Sequence, residues 1–165
     1  MVFVEIGYNM LSDKYWSDEV YATFLPSLDK VIEKHKGSTL EFGAGNFSTP
    51  FLCERLKGEE LYTLESDKEW CNLVRDKNFH TDPKHSLHHI EVWEDSFVYQ
   101  DSEFFERDDW SVIFIDHSPG EHRIIEVQNF INKCDVMVIH DYDADSKGGA
   151  YGWASVDSLF KWKVE

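Results

Sequence analysis

A glycine-bearing turn between a short apolar strand and a helix constrains this chain more than any other feature of its sequence. The segment Thr39–Phe42 has the composition of a buried strand, and Gly43 and Gly45 follow it directly. Residues 51–56 then have the apolar pattern of a helix. Glycines at alternate positions permit positive φ, and the helix offers N–H groups without partners, so the turn can bring backbone close to a nucleotide-like ligand. An ordinary strand-to-helix connection is the alternative.

Further apolar strands alternate with helical segments along the chain. We predict strands at residues 61–64, 88–93, 111–115 and 135–139 and helices at residues 67–77 and 121–132. On the first of these helices we expect Trp70, Leu73 and Val74 to face the core. Near-continuous apolar strands separated by helices indicate a parallel sheet covered on both faces, and right-handed crossovers make it doubly wound. The predicted fold class is therefore α/β, a Rossmann-like three-layer sandwich with a mostly parallel sheet.

The carboxyl ends of the predicted strands carry chemically active side chains. Parallel strands end at one edge of a sheet, and ligands bind there, so these side chains are expected to converge. They are Gly43 and Gly45, Glu65, Asp95, the pair Asp116 and His117, and the pair His140 and Asp141. A carboxylate such as Glu65 accepts two hydrogen bonds and so matches a vicinal ribose diol, with a solvated strand-end acid as the alternative.

Charge and composition exclude several functions. The 165 residues include 32 acidic and 16 basic ones, a net charge of −16. Because phosphate binding relies on Lys and Arg clusters, we expect neither nucleic acid nor an anionic membrane as a partner. No apolar run approaches the ~20 residues that span a bilayer, and the N-terminus lacks the basic segment of a signal peptide. Cys53, Cys71 and Cys134 are well separated and are interpreted as reduced thiols of a cytoplasmic protein.

With these residues placed, the chain resembles the class I S-adenosylmethionine-dependent methyltransferases over roughly residues 40–143. The sequence Glu-Phe-Gly-Ala-Gly at 41–45 matches that family's first motif, and Leu-Tyr-Thr-Leu-Glu at 61–65 matches its second strand, whose acid holds the ribose hydroxyls. The resemblance places the adenine ring at Asp95 and Ser96 and the methyl group at Asp116. It implies S-adenosylmethionine as cofactor and the following cofactor-binding residues: Glu41, Gly43, Ala44, Gly45, Asn46, Ser48, Thr49, Glu65, Ser66, Asp95, Ser96 and Asp116.

The motif Gly-Ala-Gly followed by Ser-Thr, with Ile-Asp and His-Asp at later strand ends, is similar to that of small-molecule and saccharide O-methyltransferases. Methyl transfer requires an aligned nucleophile and often removal of its proton. Asp116, His117, His140 and Asp141 are the candidate catalytic residues, since histidine suits a base near neutral pH. Alternatively, Asp116 and Asp141 hold a hard cation such as Mg²⁺, as in catechol-type enzymes of this family. Capping of strand ends is the alternative for both histidines.

The resemblance implies a single methyltransferase-like domain over residues 1–165. We divide it into an N-terminal lead-in and helix (1–37), a cofactor-binding core (38–145) and a short C-terminal extension (146–165). The lead-in is a short strand or irregular, and Pro26 either kinks the helix that begins at Ser17 or starts a second one. A helical turn at 155–159 and a strand at 160–164 are expected at the other end.

Two departures from the family pattern remain, and one group of histidines outside that pattern needs its own interpretation. Phe47 stands where the commonest first motif has a third glycine. The C-terminal residues are few for the usual last strands, so either the sheet is trimmed at this end or a partner subunit completes it, which favours a homodimer. The histidines at 80, 85, 88 and 89 match no compact zinc spacing and are expected at solvated loop and edge positions.

The function expected from these features is O-methylation of a small-molecule or saccharide hydroxyl. Two alternatives stay open at this point, because a fold alone does not decide function. One is a cleavage or metal-dependent enzyme that uses the same cofactor. The other is a non-catalytic methyltransferase-like module for binding or assembly.

Overall fold

The computed structural model describes residues 2–4, 22–91, 103–141, 152–160 and 162–164. The strands are β1 (Val2–Val4), β2 (Thr39–Phe42), β3 (Leu61–Glu65), β4 (His85–His89), β5 (Trp110–Ile115), β6 (Cys134–Ile139) and β7 (Trp162–Val164). The α-helices are α1 (Leu25–Lys34), α2 (Ser48–Arg55), α3 (Lys68–Asp76), α4 (Glu103–Glu106) and α5 (Arg123–Phe130). Single 3₁₀ turns lie at Gly120–His122, Trp153–Ser155 and Asp157–Leu159.

The strands form one sheet in the order β4-β3-β2-β5-β6-β1-β7, and every described pairing is parallel. The Rossmann-like, mostly parallel sheet predicted from the sequence is confirmed. From β2 the chain runs outward through β3 to β4 and then returns to β5 on the other side of β2. The strand order therefore reverses between β2 and β5, and the crevice beyond their carboxyl ends is where ligands bind in open α/β sheets.

Alternate residues of the central strands face two separate apolar layers. Val112 and Phe114 of β5 pack in one cluster with residues of α1 and α2. Ile113 and Ile115 pack in the other cluster with Val127 of α5 and with the C-terminal 3₁₀ turns. Because successive side chains of a strand point to opposite faces, a strand that is apolar throughout must be covered on both. This is the three-layer sandwich that the sequence predicts.

Strand β1 lies between β6 and β7, so the two ends of the described chain complete the same side of the sheet. Val2 pairs with Val136 of β6 and with Trp162 of β7. The lead-in that the sequence left open is thus a strand at Val2–Val4. The C-terminal residues add one strand, and its neighbour comes from the opposite end of the chain.

Several element boundaries differ from those predicted. Pro26 lies in the first turn of α1, where a missing N–H breaks no helical hydrogen bond, so it starts that helix. The helix start expected at Ser17 lies outside the described residues. Strand β4 begins at His85 rather than at residue 88. On α3 the prediction for Leu73 is wrong, because its side chain is 53% exposed while Cys71 and Val74 are buried.

The expectation that the histidines at residues 80, 85, 88 and 89 are solvated is wrong for His85, and the other three are half-buried. His85 is buried, and its Nε2 lies 3.0 Å from the carbonyl oxygen of Leu56. The ring of His80 lies 3.1 Å from Thr63 Oγ1. Both histidines therefore satisfy groups of neighbouring elements. No helix in the described ranges combines the length and the apolar character needed to span a bilayer.

Candidate functional site

Gly43 occupies a position that no other residue fits. Its φ is +91°, and a Cβ placed there would lie 2.6 Å from His117 Cα and 2.8 Å from the Asp116 carbonyl oxygen. The missing side chain therefore makes room for the end of β5 rather than for a ligand. A Cβ on Gly45 would lie 2.5 Å from Ser48 Oγ, so this second glycine allows α2 to begin close against the loop.

Glu41 holds the glycine loop from beneath. The hydroxyls of Thr49 and Thr63 donate to its carboxyl group at 3.0 and 2.8 Å, and the Gly45 N–H donates to Thr49 Oγ1 at 2.8 Å. Glu41 is completely buried, and burial raises its pKa to about 7 despite these hydrogen bonds. Its influence on a ligand must therefore pass through the loop.

Glu65, at the end of β3, holds the same loop from the side. Its Oε2 accepts from the Ala44 N–H at 2.9 Å, and its Oε1 accepts from the Asp67 N–H at 2.8 Å. The carboxyl group is 7% exposed, and burial raises its pKa. A carboxylate has about four acceptor positions, so these two bonds leave capacity for a ligand hydroxyl.

Helix α3 closes the outer side of the loop through Trp70. The indole Nε1–H donates to the Ala44 carbonyl oxygen at 2.6 Å. Asp67 caps α3 by accepting from the Trp70 N–H at 2.9 Å. This cap fixes where the helix begins and so positions the indole of Trp70. Lys77 donates to Asn46 Oδ1, and its ammonium lies 5.6 Å from the centre of the Trp70 ring.

A cleft of about 560 Å³ opens at the point where the strand order reverses. Its volume falls within the ~300–1,000 Å³ typical of small-ligand pockets. The cleft lies between the loop after β2 and the ends of β5 and β6, with Phe24 from the start of α1. The described residues that line it are Phe24, Gly45, Asn46, Phe47, Ser48, Asp116, Arg123, His140 and Asp141.

Asp116 and His140 form a hydrogen-bonded pair in the cleft wall. His140 Nδ1 lies 2.8 Å from Asp116 Oδ1, and Nε2 lies 3.3 Å from Thr23 Oγ1 and 3.5 Å from Asp141 Oδ1. Burial alone would lower the pKa of His140, but the hydrogen bond to Asp116 and the charges of both carboxylates outweigh it and raise the pKa. The imidazole can therefore exchange a proton through Nε2 while Asp116 holds Nδ1.

Arg123, the first residue of α5, ties this cluster together and was not singled out from the sequence. Its Nη2 lies 3.1 Å from Asp116 Oδ1, and its Nη1 lies 3.2 Å from Asp141 Oδ2. Nε also donates to the His117 carbonyl oxygen, and Nη1 to that of His140, both at 2.8 Å. A sequence signal did exist: an arginine in the first turn of a helix opposes the helix dipole and needs a compensating partner.

His117 faces away from the cleft. Its side chain is 2% exposed, and Nε2 lies 3.7 Å from Oε1 of the buried Glu126. Burial lowers the pKa of His117 to about 3 and raises that of Glu126 to about 9, so both groups are neutral near pH 7. The structure therefore places His117 in the interior, as a packed residue, and does not bring it to the other catalytic candidates.

The predicted site residues fall into four groups. Those that line the cleft are Gly45, Asn46, Ser48, Asp116, His140 and Asp141. Those that hold or form the loop around it are Glu41, Gly43, Ala44, Thr49 and Glu65, with Ser66 directly after β3. His117 is buried. Asp95 and Ser96 lie outside the described residues.

The proposed Mg²⁺ site does not fit the arrangement of charges. Asp116, His140 and Asp141 are the one group within the described ranges whose ligand atoms lie close enough, within 4.8 Å of one another, to share an ion. However, the guanidinium of Arg123 already contacts both carboxylates. A divalent cation would have to displace it or lie beside a fixed positive charge.

Comparisons with known proteins support the fold. No family model matches the chain, and no curated protein matches its sequence. Among solved structures, it is similar to the precorrin-6y C5,15-methyltransferase from Geobacter metallireducens GS-15. The two share 14% sequence identity, with a TM-score of 0.51, over 84% of this chain and 70% of the other. At this identity the likeness establishes a shared α/β fold.

Proposed function

We propose that this chain is an S-adenosylmethionine-dependent methyltransferase that acts on a hydroxyl of a small molecule or saccharide. The observation that carries the proposal is the Asp116–His140 pair in the cleft wall, beside the glycine loop. The loop supports cofactor binding, and the pair supplies a positioned base for an acceptor. The solved structure that shares the fold is itself a methyltransferase, which supports the same class of reaction.

The chemistry of the cleft suits a sulfonium cofactor. Bound S-adenosylmethionine would supply an electrophilic methyl group on a positively charged sulfur. Asp116 and Asp141 are within the cleft, and Glu65 is at the neighbouring strand end, so the carboxylates outnumber Arg123, the one permanent cation among the described lining residues. Gly45 and Ser48 would hold the methionine part, and Glu65 the ribose, with Asp95 and Ser96 proposed at the adenine.

On the acceptor side, His140 is the proposed base. Thr23 Oγ1, at 3.3 Å from Nε2, shows that a hydroxyl can approach this nitrogen. Nε2 would accept the proton of an acceptor hydroxyl, and Asp116 would stabilise the imidazolium through Nδ1. The bound cofactor would supply the methyl group and leave as S-adenosylhomocysteine. Because Asp116 raises the pKa of His140, the base form becomes abundant on the alkaline side of the ordinary histidine range.

The charge of the cleft also limits the class of acceptor molecule that suits it. Two aspartates against one arginine leave the ends of β5 and β6 net acidic, which disfavours phosphorylated acceptors there and favours neutral, hydroxyl-rich ones. Small sugars and other polyols fit this description. No step of the proposed reaction uses a divalent cation, since Arg123 already contacts both Asp116 and Asp141.

Calorimetric titration with S-adenosylmethionine and S-adenosylhomocysteine, with and without Mg²⁺, tests the cofactor assignment. We expect both ligands to bind with affinities that Mg²⁺ leaves unchanged. Absence of binding under all conditions would contradict the cofactor assignment. If the products include homocysteine derivatives other than S-adenosylhomocysteine, the chain is a cleavage enzyme that uses the same cofactor.

Methyl transfer to a panel of neutral polyols then tests catalysis. His140→Gln should lose turnover while keeping the fold and cofactor affinity, as judged by circular dichroism and calorimetry. Asp116→Asn should also lose turnover with the fold kept, and its cofactor affinity should fall because the charge beside the sulfonium is removed. If the unaltered chain binds cofactor but methylates no acceptor, and His140→Gln binds cofactor equally well, the non-catalytic module is the better description.

A further inference from the structure

We propose that Arg123 is a built-in counter-cation that occupies the place of a metal between Asp116 and Asp141 and keeps divalent cations out of the cleft. The proposal concerns the charge arrangement of the described residues and does not depend on methyl transfer. It assigns a positioning role to a residue that touches both carboxylates and lines the cleft.

The first argument is the position of the guanidinium. One nitrogen contacts Asp116 and another contacts Asp141, so a single planar group bridges the acids at the ends of β5 and β6. A divalent ion shared by these two carboxylates would bind in the same bridging region. Arg123 therefore satisfies the charges that would otherwise attract a metal.

The second argument is that Arg123 is anchored and cannot easily move aside. It is 7% exposed and also donates to the carbonyl oxygens of His117 and His140. Displacing the side chain would leave these two strand-end carbonyls without that donor and would place a buried charge without its partners. A metal must overcome these losses as well as repulsion by the guanidinium.

The third argument is the effect on the catalytic pair. Asp116 Oδ1 is hydrogen-bonded to His140 Nδ1 and forms an ion pair with Arg123 Nη2, and these two contacts fix the orientation of the carboxylate toward the imidazole. A metal bound to the same oxygen would compete for it. Arg123 thus leaves the Asp116 carboxylate available to His140, whereas a bridging cation would not.

Direct metal binding tests this proposal without any assay of activity. Mn²⁺ is the probe, measured by the loss of its free electron paramagnetic resonance signal and by calorimetry. We expect the unaltered chain to bind Mn²⁺ no more tightly than about the millimolar range, and Arg123→Gln to bind it at least about tenfold more tightly. The gain should disappear in the double variant Arg123→Gln/Asp141→Asn, and guanidinium ion at low millimolar concentration should reduce it.

Two controls separate this role from a structural one. Arg55→Gln removes a surface arginine that pairs with Asp29 at 2.6 Å, far along the chain, and should leave Mn²⁺ affinity unchanged. Arg123→Lys retains the charge and should keep Mn²⁺ affinity near that of the unaltered chain.

Two results would overturn the proposal. One is tight, micromolar Mn²⁺ binding by the unaltered chain that Asp116→Asn abolishes. The other is a folded Arg123→Gln protein whose Mn²⁺ affinity is unchanged. Should Arg123→Gln fail to fold, the first measurement still decides, because weak binding by the unaltered chain supports the proposal and tight binding at Asp116 contradicts it.

Discussion

The indole N–H of Trp70 donates a 2.6 Å hydrogen bond to the carbonyl oxygen of Ala44. This contact joins α3 to the middle of the glycine loop, while Glu65 accepts from the N–H of the same residue, Ala44. Both backbone groups of Ala44 are thus held by the structure that follows β3. The shape of the loop therefore depends on residues that are distant from it in sequence.

Trp70→Phe should lower the stability of the protein and weaken cofactor binding. The substitution keeps an aromatic ring and removes the donor, so the Ala44 carbonyl loses one hydrogen bond, which costs the folded chain about 1 kcal/mol. The same free energy, roughly fivefold, is the upper limit of the loss in affinity, reached when cofactor binding has to restore the shape of the loop. Calorimetry with S-adenosylhomocysteine measures it. Leu73→Ala, on the exposed side of the same helix, is the matched control and should bind normally. Equal affinities for the two variants would contradict the role given to Trp70.

The pH dependence of methyl transfer should follow His140. The rate is expected to rise with pH and level off above the raised pKa of this histidine, because the neutral imidazole is the base. Asp116→Asn removes the hydrogen-bonded charge that raises the pKa, so the inflection should move to lower pH while the maximum rate falls. His140 resonances followed by NMR across the pH range give the pKa independently.

His117→Gln provides the comparison for that experiment. Burial keeps the pKa of His117 at about 3, so the group does not titrate between pH 5 and 9. The inflection should stay where it is in this variant. If the inflection vanished in His117→Gln and persisted in His140→Gln, the base would be His117, and the assignment to His140 would be wrong.

Gly43→Ala should destabilise the fold by about 2–4 kcal/mol. Two costs combine, a non-glycine residue at a φ of +91° and a Cβ only 2.6 Å from the backbone of His117. Gly58→Ala is a close control, since its φ is +85° and a Cβ there meets nothing within 4 Å. It should cost only the backbone term, roughly 1 kcal/mol. Urea unfolding of both proteins separates the steric clash from the backbone strain. Equal losses of stability in the two variants would show that the clash at Gly43 contributes nothing.

Glu41 should make the stability of the protein fall with rising pH. Its pKa is about 7 in the fold and 4.5 ordinarily. The unfolded chain therefore releases the proton first, and stability falls between pH 4.5 and 7. The loss amounts to about 3 kcal/mol at 1.36 kcal/mol per pKa unit. Glu41→Gln keeps an acceptor for Thr49 and Thr63 and removes the titration. The difference in unfolding free energy between the two proteins should change by about 2.5 kcal/mol from pH 5 to pH 8, since part of the loss occurs below pH 5.

The sheet could be predicted from the sequence because its signals are local. Apolar runs such as residues 111–115 and 135–139 fall within β5 and β6, and the glycine turn follows β2 as expected. The strand β1 remained one of two alternatives for the lead-in, because three residues carry little pattern and its partners lie near residues 136 and 162. Long-range pairing leaves no mark on so short a segment.

The site was only half visible in the sequence, and the reason is geometric. The strand ends located Asp116, His140 and Asp141, which the structure brings together. Asp116 and His117 are adjacent, and successive side chains at a strand end point to opposite faces, so one faces the cleft and the other the core. Arg123 was missed because its contacts reach to residue 141, and no spacing rule covers them.

The place of β1 has a consequence for how this chain reaches its folded state. Val2 must find Val136, so this pairing closes a loop of most of the chain and is expected to form slowly. Until it does, β6 presents an open hydrogen-bonding edge and β7 has no described partner. Before β1 docks, that edge is available to other chains, which makes this interval the period of greatest risk of aggregation.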